Sequence, residues 1–332
     1  METKENKKSL FKSRILPGIA MIVFAIFFFV GGYFIFQFNN SQSTELQNYK
    51  KILRLVFLGI FALFLAVVSY EFINSFDLPI YISLIISLFV SSTMLFIFIP
   101  VPWVDSSNQS YTLILSLNQL SFKSLISGNW HTEVFSLISI FCASAIYLLF
   151  KLITVKGVNV KNILIKTLII LVTFFIISLA VRFMYYSYIS QIQYLLLFVL
   201  ISISSDIAGF FGGRYFGHKF FKRKLAPYIS PKKTIEGAIS SIVIAFLVAI
   251  SIVLMFNLYS IFESDAFRVV QILIQLFFLI VLAILGDLYF SLIKRINNKK
   301  DYSNIFLGHG GFLDRFDSIL IVVAMGSLYI LS

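Results

Sequence analysis

The chain has 332 residues, of which 59% are hydrophobic and only 13% are charged, and its formal net charge is +12. Soluble domains usually carry about 25% charged residues, so this composition excludes an ordinary soluble globule. The basic residues lie between apolar runs, which favours orientation in a membrane over binding to nucleic acid. The single cysteine, Cys142, excludes an intrachain disulfide and a cysteine metal cluster.

Apolar runs of about 20 residues are long enough to cross a bilayer as helices. The sequence has nine such runs, at roughly 15–38, 52–75, 79–100, 134–154, 162–185, 191–212, 237–258, 268–293 and 315–331. They predict an all-α, polytopic integral membrane protein with about nine transmembrane helices. The first run is too long for the apolar core of a signal peptide, so we expect it to be retained. Residues 103–133 are predicted to be an outer connection.

The distribution of lysine and arginine predicts the orientation, because these residues are typical of the cytoplasmic side. With the N-terminus inside, the inner segments hold 21 of the 27 basic residues. We therefore predict a cytoplasmic N-terminus, with the basic residues of 50–54 as the exception. We also predict two regions: an N-terminal transmembrane bundle over 1–200, and a C-terminal catalytic region over 201–332. The second region contains cytoplasmic loops at 213–236 and 294–315.

The run at 268–293 ends in polar residues that indicate a functional site. Acids at membrane depth are costly and are usually functional. Asp287, Ser291 and Lys294 are spaced i, i+4 and i+7, so they share one face of the predicted helix. Snorkelling of basic side chains at a helix end explains Lys294 and Arg295, but it does not explain Asp287, which lies about two turns deeper.

A glycine-rich stretch, Gly-His-Gly-Gly at 308–311, precedes Asp314 and Asp317 at the start of the last predicted helix. Glycines let the backbone approach a ligand closely and point N–H groups at phosphate. The helix dipole by itself favours two acids at this position. Together with Asp287, the same acids could hold a divalent cation through oxygen ligands. The residues alone leave both interpretations open.

A second polar inner segment begins at Asp206 and ends in the run Ile-Ser-Pro-Lys-Lys-Thr-Ile-Glu-Gly at 229–237. Ser230 and Pro231 suit an N-cap and a first helical residue, so we predict that a helix starts there. Basic residues beside a helix N-terminus form a phosphate site, although ordinary positive-inside charge is the alternative. The residues for which we favour phosphate contact are Arg214, Lys232 and Lys233.

These motifs together resemble those of the phosphatidate cytidylyltransferase family. The main match covers residues 291–317, including the glycine-rich stretch, and residues 206–217 and 230–237 resemble the family's other inner-loop pattern. The earlier part of the chain matches only in hydropathy. The sequence departs from the family pattern at Phe290, where the family usually has Glu, and at Leu307, where it usually has Pro.

The resemblance implies a nucleotidyltransferase that transfers CMP from CTP to phosphatidic acid, giving CDP-diacylglycerol and pyrophosphate in phospholipid biosynthesis. It implies Mg²⁺ as cofactor and leaves a second metal ion open. The implied partners are CTP from the cytoplasm, phosphatidic acid from the inner leaflet and the surrounding membrane lipids, with no nucleic acid. It is compatible with a homodimer in a bacterial cell membrane, with the active site facing the cytoplasm.

The resemblance also implies which residues act, at the positions that match the motifs. The implied catalytic residues are Asp287, Ser291, Lys294, Arg295, Asp314 and Asp317. Of these, the implied metal ligands are Asp287 and Asp314, with Asp317 in support. The implied substrate-binding residues are Asp206, Arg214, Ser230, Lys232, Lys233, Thr234, Lys300, His309, Gly310, Gly311 and Arg315.

Three other functions remain as alternatives. One is a CTP-dependent transferase that acts on another lipid phosphate or alcohol. Another is a transporter of an anionic solute, with Asp206 and Asp287 as coupling acids. A transporter predicts repeated halves with helices broken near the midplane. The sequence has no such repeat, and its polar residues gather at one inner edge, so the enzyme is favoured. The third, an inactive lipid-binding relative, is suggested only by Phe290.

Overall fold

The structure is a computed structural model that describes residues 31–32, 44–96, 130–154, 160–189, 192–221, 223–263, 265–303, 305 and 310–331. Within these ranges the chain forms eight α-helices, one two-stranded hairpin and a short 3-10 helix. The helices are α1 (Thr44–Asn74), α2 (Ile80–Phe96), α3 (Trp130–Thr154), α4 (Val160–Ile189), α5 (Ile192–Phe216), α6 (Ile235–Met255), α7 (Ala266–Ile296) and α8 (Leu313–Leu331). The strands are β1 (Lys224–Ala226) and β2 (Ser230–Thr234), and the 3-10 helix is Leu258–Glu263.

The helices confirm the predicted fold class, an all-α polytopic integral membrane protein. Six of the described helices contain apolar spans long enough to cross a bilayer: Ile52–Asn74, Val134–Thr154, Val160–Tyr188, Ile192–Phe216, Ile235–Met255 and Ala266–Ile296. A shorter apolar helix covers Ile80–Met94, and the predicted run 315–331 forms most of α8. The predicted first span, 15–38, and most of loop 103–133 lie outside the described residues, so the total of nine stays a prediction.

One compact unit contains the described residues up to Leu171, residues 188–189 and residues 299–315. Here α2 packs against both α1 and α3. Aromatic rings fill the interior: Phe76 makes edge contacts with Phe72 and Tyr147, with ring centroids 5.3 and 5.7 Å apart. Because lipid is as apolar as these side chains, close packing of this kind is what holds helices together in a membrane.

The other compact unit contains residues 172–187, 192–298 and 316–331. Among the described residues, its most extensive contact between helices is that of α5 with α6. A Cβ at Gly212 of α5 would collide with the Ser240 side chain of α6, so only glycine permits this approach. The Ser241 hydroxyl of α6 also donates to the Ser205 carbonyl of α5 at 2.6 Å. This crossing fixes the C-terminal half of α5 against the start of α6.

The hairpin corrects the predicted helix start at Ser230 and Pro231. Both residues lie in β2, which pairs antiparallel with β1. The cap of α6 is instead Thr234, whose hydroxyl accepts the Gly237 N–H at 3.1 Å while its own backbone stays extended. A proline is tolerated in β2 because a two-stranded ribbon has only edge strands, where a missing N–H costs no ladder bond. Lys232 and Lys233 therefore project from a strand and not from a helix N-terminus.

Candidate active site

The C-terminal part of α7 presents Asp287 and Ser291 on one face, as the spacing predicted. The Ser291 hydroxyl donates to Oδ1 of Asp287 at 3.3 Å. The Asp287 side chain is 25% exposed, although the helix around it is apolar. A carboxylate in this position is open to a ligand and is already in contact with one hydroxyl group.

Lys233 of β2 forms an ion pair with Oδ2 of Asp287. The lysine side chain is 27% exposed, so the pair is neither sealed in the interior nor fully in solvent. The pair joins the two polar inner segments that were predicted separately, one ending in the run at 229–237 and the other containing Asp287. Both side chains are partly accessible, so an anionic ligand can compete for Lys233 and a cation bound to that ligand can compete for Asp287.

A second contact holds the strand in place beside α7. The Arg295 side chain, through Nε, donates to the carbonyl oxygen of Ile229 at 3.2 Å. Ile229 directly precedes β2, so this bond ties the start of the strand to the last turn of α7. Arg295 thereby helps to keep Lys233 near Asp287, while its predicted contact with phosphate stays a prediction.

Small residues bring α8 close to the same end of α7. Gly286 precedes Asp287, and a Cβ there would lie 3.2 Å from Cβ of Ile321 and 3.4 Å from Cα of Ser318. Contacts this short leave little room for a side chain at position 286. The close approach of the two helices brings the buried Asp317 within electrostatic range of both Asp287 and Lys294.

Asp206 of α5 completes this cluster of acids. Its Oδ2 accepts a hydrogen bond from the Ser318 hydroxyl at 3.1 Å. It also lies within electrostatic range of Asp287 and Lys233. Four elements of one compact unit thus supply three carboxylates and a lysine, which we call the carboxylate cluster: Asp206, Lys233, Asp287 and Asp317.

The chemistry of the carboxylate cluster fits Mg²⁺ in one specific way. Across the described ranges, no group of three or more His, Cys, Asp or Glu side chains is arranged to hold a metal ion by itself. Mg²⁺, however, usually binds through one or two carboxylates together with water and substrate phosphates. The partly exposed carboxylate of Asp287 suits such a shared ion.

Asp314, the other predicted metal ligand, makes backbone contacts in the structure. Its Oδ2 accepts N–H groups from Tyr302 and Gly311, both at 2.9 Å. The Gly311 N–H, which was expected to point at phosphate, is therefore directed at Asp314. Gly310 has a φ of 80°, a conformation that glycine adopts readily, and a Cβ there would lie 2.8 Å from the same carboxylate oxygen. The metal-binding role of Asp314 stays a prediction.

The other predicted site residues divide by exposure. Four basic residues have exposed side chains: Arg214, Lys232, Lys300 and Arg315. Ser230 is half-buried in β2, and Thr234 is buried as the cap of α6. His309 lies outside the described residues. The structure therefore groups Asp287, Ser291, Lys233, Asp206, Asp317 and Lys294, and it leaves the roles of the exposed basic residues as predictions.

Two buried glutamates were missed by the sequence reasoning. Glu236 near the start of α6 accepts the N–H groups of Phe220 and Phe221 at 3.2 and 2.8 Å, which holds the turn after α5. Glu71 of α1 accepts three hydrogen bonds from residues 303–313. A signal for Glu71 existed, because it is an acid inside the predicted span 52–75, and acids at that depth are usually functional.

Phe290 stands where the resembled family usually has Glu. It is completely buried, and its ring meets the neighbouring Tyr289 ring edge-on, with centroids 5.5 Å apart. Asp287, in contrast, is partly exposed one turn earlier on the same helix. The phenylalanine therefore packs into the interior one turn after Asp287.

Comparisons with known proteins agree with this chemistry. The model of the cytidylyltransferase family matches residues 12–332. The phosphatidate cytidylyltransferase of Bacillus subtilis (strain 168) is 41% identical over 120 residues, which are 36% of this chain and 40% of that protein. The protein of the same name from Rickettsia bellii is 43% identical over 129 residues, 38% of this chain and 53% of the relative. The chain spans about half the length of the curated relatives it matches.

Proposed function

The chain belongs to the cytidylyltransferase family, and on that premise we propose that it transfers CMP from CTP to phosphatidic acid, giving CDP-diacylglycerol and pyrophosphate. Phosphatidate cytidylyltransferases from several bacteria are its relatives, at 34–43% identity in the matched stretches. The named activity of those proteins supports the substrate pair. The membrane-spanning helices agree with a lipid acceptor.

The ion pair between Lys233 and Asp287 is the observation that carries the proposal. A lone intramembrane acid could couple ions, but here an acid, a lysine and a hydroxyl from two inner segments meet in one place. Transfer between phosphates requires charge neutralisation and alignment of the reacting groups, and little covalent help from the protein. A cation beside a carboxylate supplies both charge neutralisation and alignment, because the cation and the carboxylate can each hold a different part of the nucleotide.

In the proposed reaction, a phosphate oxygen of phosphatidic acid forms a bond to the α-phosphorus of CTP. The bond from the α-phosphorus to the oxygen that bridges the α- and β-phosphates breaks, and pyrophosphate leaves. Lys233 would neutralise the charge that develops on the phosphates, and Lys294 and Arg295 would contact the same groups at the end of α7. Asp287 and Ser291 would orient Lys233 before the substrates arrive.

Mg²⁺ bound at Asp287, with Asp317 and Asp314 as the further predicted ligands, would screen the charge of the phosphates. We propose that this end of the helices faces the cytoplasm, where CTP is found, and opens sideways to the inner leaflet for the lipid. The basic inner segments support that orientation. The predicted homodimer remains a proposal as well.

The test is an assay with purified protein in mixed micelles, CTP labelled in its α-phosphate, phosphatidic acid and Mg²⁺. We expect labelled CDP-diacylglycerol and one equivalent of pyrophosphate, and no product after EDTA until Mg²⁺ is restored. Parallel reactions contain diacylglycerol or a polyprenyl phosphate in place of phosphatidic acid. Product formed only with one of those other acceptors would identify that acceptor as the substrate in place of phosphatidic acid. No product with any acceptor would reject the proposed enzymatic function.

A further inference from the structure

The C-terminal end of α1 carries a buried carboxylate, Glu71, that the proposed reaction does not use. Its side chain is only 1% exposed, and it lies in the segment Ile52–Asn74, which is long and apolar enough to cross a membrane. A buried charge is tolerated when hydrogen bonds replace its hydration. The partners of Glu71 therefore indicate why it is there.

Three hydrogen-bond donors to Glu71 come from one later part of the chain. Its Oε1 accepts from the Ser303 hydroxyl at 2.5 Å and from the Phe312 N–H at 3.1 Å. Its Oε2 accepts from the Leu313 N–H at 2.7 Å. The two N–H groups belong to the start of α8, where the helix itself offers no acceptor. Glu71 thus acts as an N-cap for α8 that is supplied by another helix, and the helix dipole favours its negative charge.

The glycine segment (residues 310–313) is shaped to receive this carboxylate. A Cβ at Gly311 would collide with both Glu71 oxygens and with the Ser303 hydroxyl oxygen. Glycine at this position is therefore required by the close approach of Glu71. The adjacent Phe312 ring meets Phe64 of α1 edge-on, with centroids 6.0 Å apart.

A second tether joins the same two parts of the chain. The Lys299 ammonium donates to the Asn74 carbonyl oxygen at 2.9 Å and forms an ion pair with Asp77 at 3.1 Å. The end of α1 thus contacts the connection between α7 and α8 near its beginning, at Lys299, and near its end, at the glycine segment. These two contacts place α1 against two points within residues 291–317, the stretch that resembles the family signature.

We infer that Glu71 is a positioning residue: it fixes the backbone of the glycine segment and thereby the direction of Asp314 and Arg315. The inference rests on the proposed function, because positioning matters only if those residues act in CMP transfer. Glu71 touches no substrate and works through the N–H groups of Phe312 and Leu313. Its effect belongs to the catalytic step, since a displacement of about 1 Å in a catalytic group can cost about 100-fold in rate.

The experiment compares Glu71→Gln, Glu71→Asp and Ser69→Ala with the wild-type protein. The amide of Gln presents an NH₂ group in place of one acceptor oxygen, so at least one of the three hydrogen bonds is lost. Ser69→Ala is the matched control: Ser69 is completely buried in the same helix, and within the described part of the chain its hydroxyl has no hydrogen-bond partner.

We expect Glu71→Gln to lower kcat for CDP-diacylglycerol about 10- to 100-fold while the KM for CTP stays within about twofold, because Lys233 and Asp287, which would hold the nucleotide phosphates and Mg²⁺, are untouched. Glu71→Asp keeps the carboxylate and should recover part of kcat. Ser69→Ala should match the wild type. An unchanged kcat in Glu71→Gln, or an equal loss in Ser69→Ala, would overturn the inference.

A second measurement does not depend on the reaction. Limited trypsin digestion in detergent, followed by mass spectrometry, reports cleavage after the exposed Lys300 and, as an internal reference, after the exposed Lys161. Cleavage after Lys300 should be several-fold faster in Glu71→Gln than in the wild type or Ser69→Ala, with the Lys161 rate unchanged. If the wild-type protein makes no CDP-diacylglycerol, the proposed function fails. If digestion does not differ among the variants, the positioning role fails.

Discussion

Asp287 of α7 and Glu71 of α1 are both carboxylates in the C-terminal parts of long, mainly apolar helices, yet their surroundings differ. Asp287 is 25% exposed and contacts two side chains, the Lys233 ammonium and the Ser291 hydroxyl. Glu71 is 1% exposed and accepts two backbone N–H groups and one hydroxyl. Side-chain partners can rotate away and let a ligand in, whereas backbone partners cannot move without moving the chain.

The comparison gives a rule for buried acids in this protein. A carboxylate with exchangeable partners and some exposure is available for substrate or metal, and one that is saturated by backbone donors holds structure. Asp314 lies between these two classes, since its Oδ2 accepts the N–H groups of Tyr302 and Gly311 but its side chain is only half-buried. Substitution of an acid of the first kind should therefore lower mainly activity, and substitution of an acid of the second kind should lower stability.

The largest effect should come from Asp287→Asn. The substitution removes the charge that pairs with Lys233 and that would meet Mg²⁺, so kcat/KM should fall about 100-fold or more. The control is Asp265→Asn at the N-terminal end of the same helix, where among the described residues the Asp265 side chain makes no capping hydrogen bond. The assay is CDP-diacylglycerol formation in micelles. Equal activities of the two variants would remove Asp287 from the site.

The next effect concerns thermal stability, for which Glu71 should matter more than Asp287. Glu71→Ala leaves the buried Leu313 N–H and the part-buried Phe312 N–H without their acceptor, at a cost of about 1–3 kcal/mol for each group, so Tm should fall by about 4 °C or more. Asp287→Ala breaks a partly exposed ion pair worth about 0–1 kcal/mol, so its Tm should change by less than about 2 °C. Thermal unfolding of the detergent-solubilised variants measures both, and a larger loss for Asp287→Ala would contradict the division.

The smallest effect should come from Ser291→Ala. Its hydroxyl makes one long hydrogen bond of 3.3 Å to Asp287, worth about 0.5–1.5 kcal/mol, so kcat/KM should fall about 2- to 10-fold. Ser251→Ala is the control, because that hydroxyl donates only within its own helix, to the Leu247 carbonyl at 2.8 Å, as far as the described residues show. A loss for Ser291→Ala as large as that for Asp287→Asn would mean that Ser291 contacts substrate directly.

Local spacing predicted one half of the carboxylate cluster. Asp287 and Ser291 are four residues apart on a helix, and helix geometry alone puts them on one face. The fold class followed from apolar length in the same way, because a bilayer sets a minimum span. The start of α6 was predicted wrongly: Ser230 and Pro231 form part of β2, because pairing with β1 satisfies this backbone and leaves the capping role to Thr234.

The sequence by itself determined that the chain crosses a membrane, which polar residues are unusual at that depth, and that Asp287 shares a face with Ser291. Only the tertiary structure decided that Lys233 pairs with Asp287, that Ser318 contacts Asp206 and that Glu71 caps α8. The physical reason is the range of the interactions. Helix periodicity and lipid solvation act on neighbouring residues, whereas these contacts join residues far apart in sequence and depend on how closely small residues such as Gly286 and Gly311 let the backbone and side chains approach.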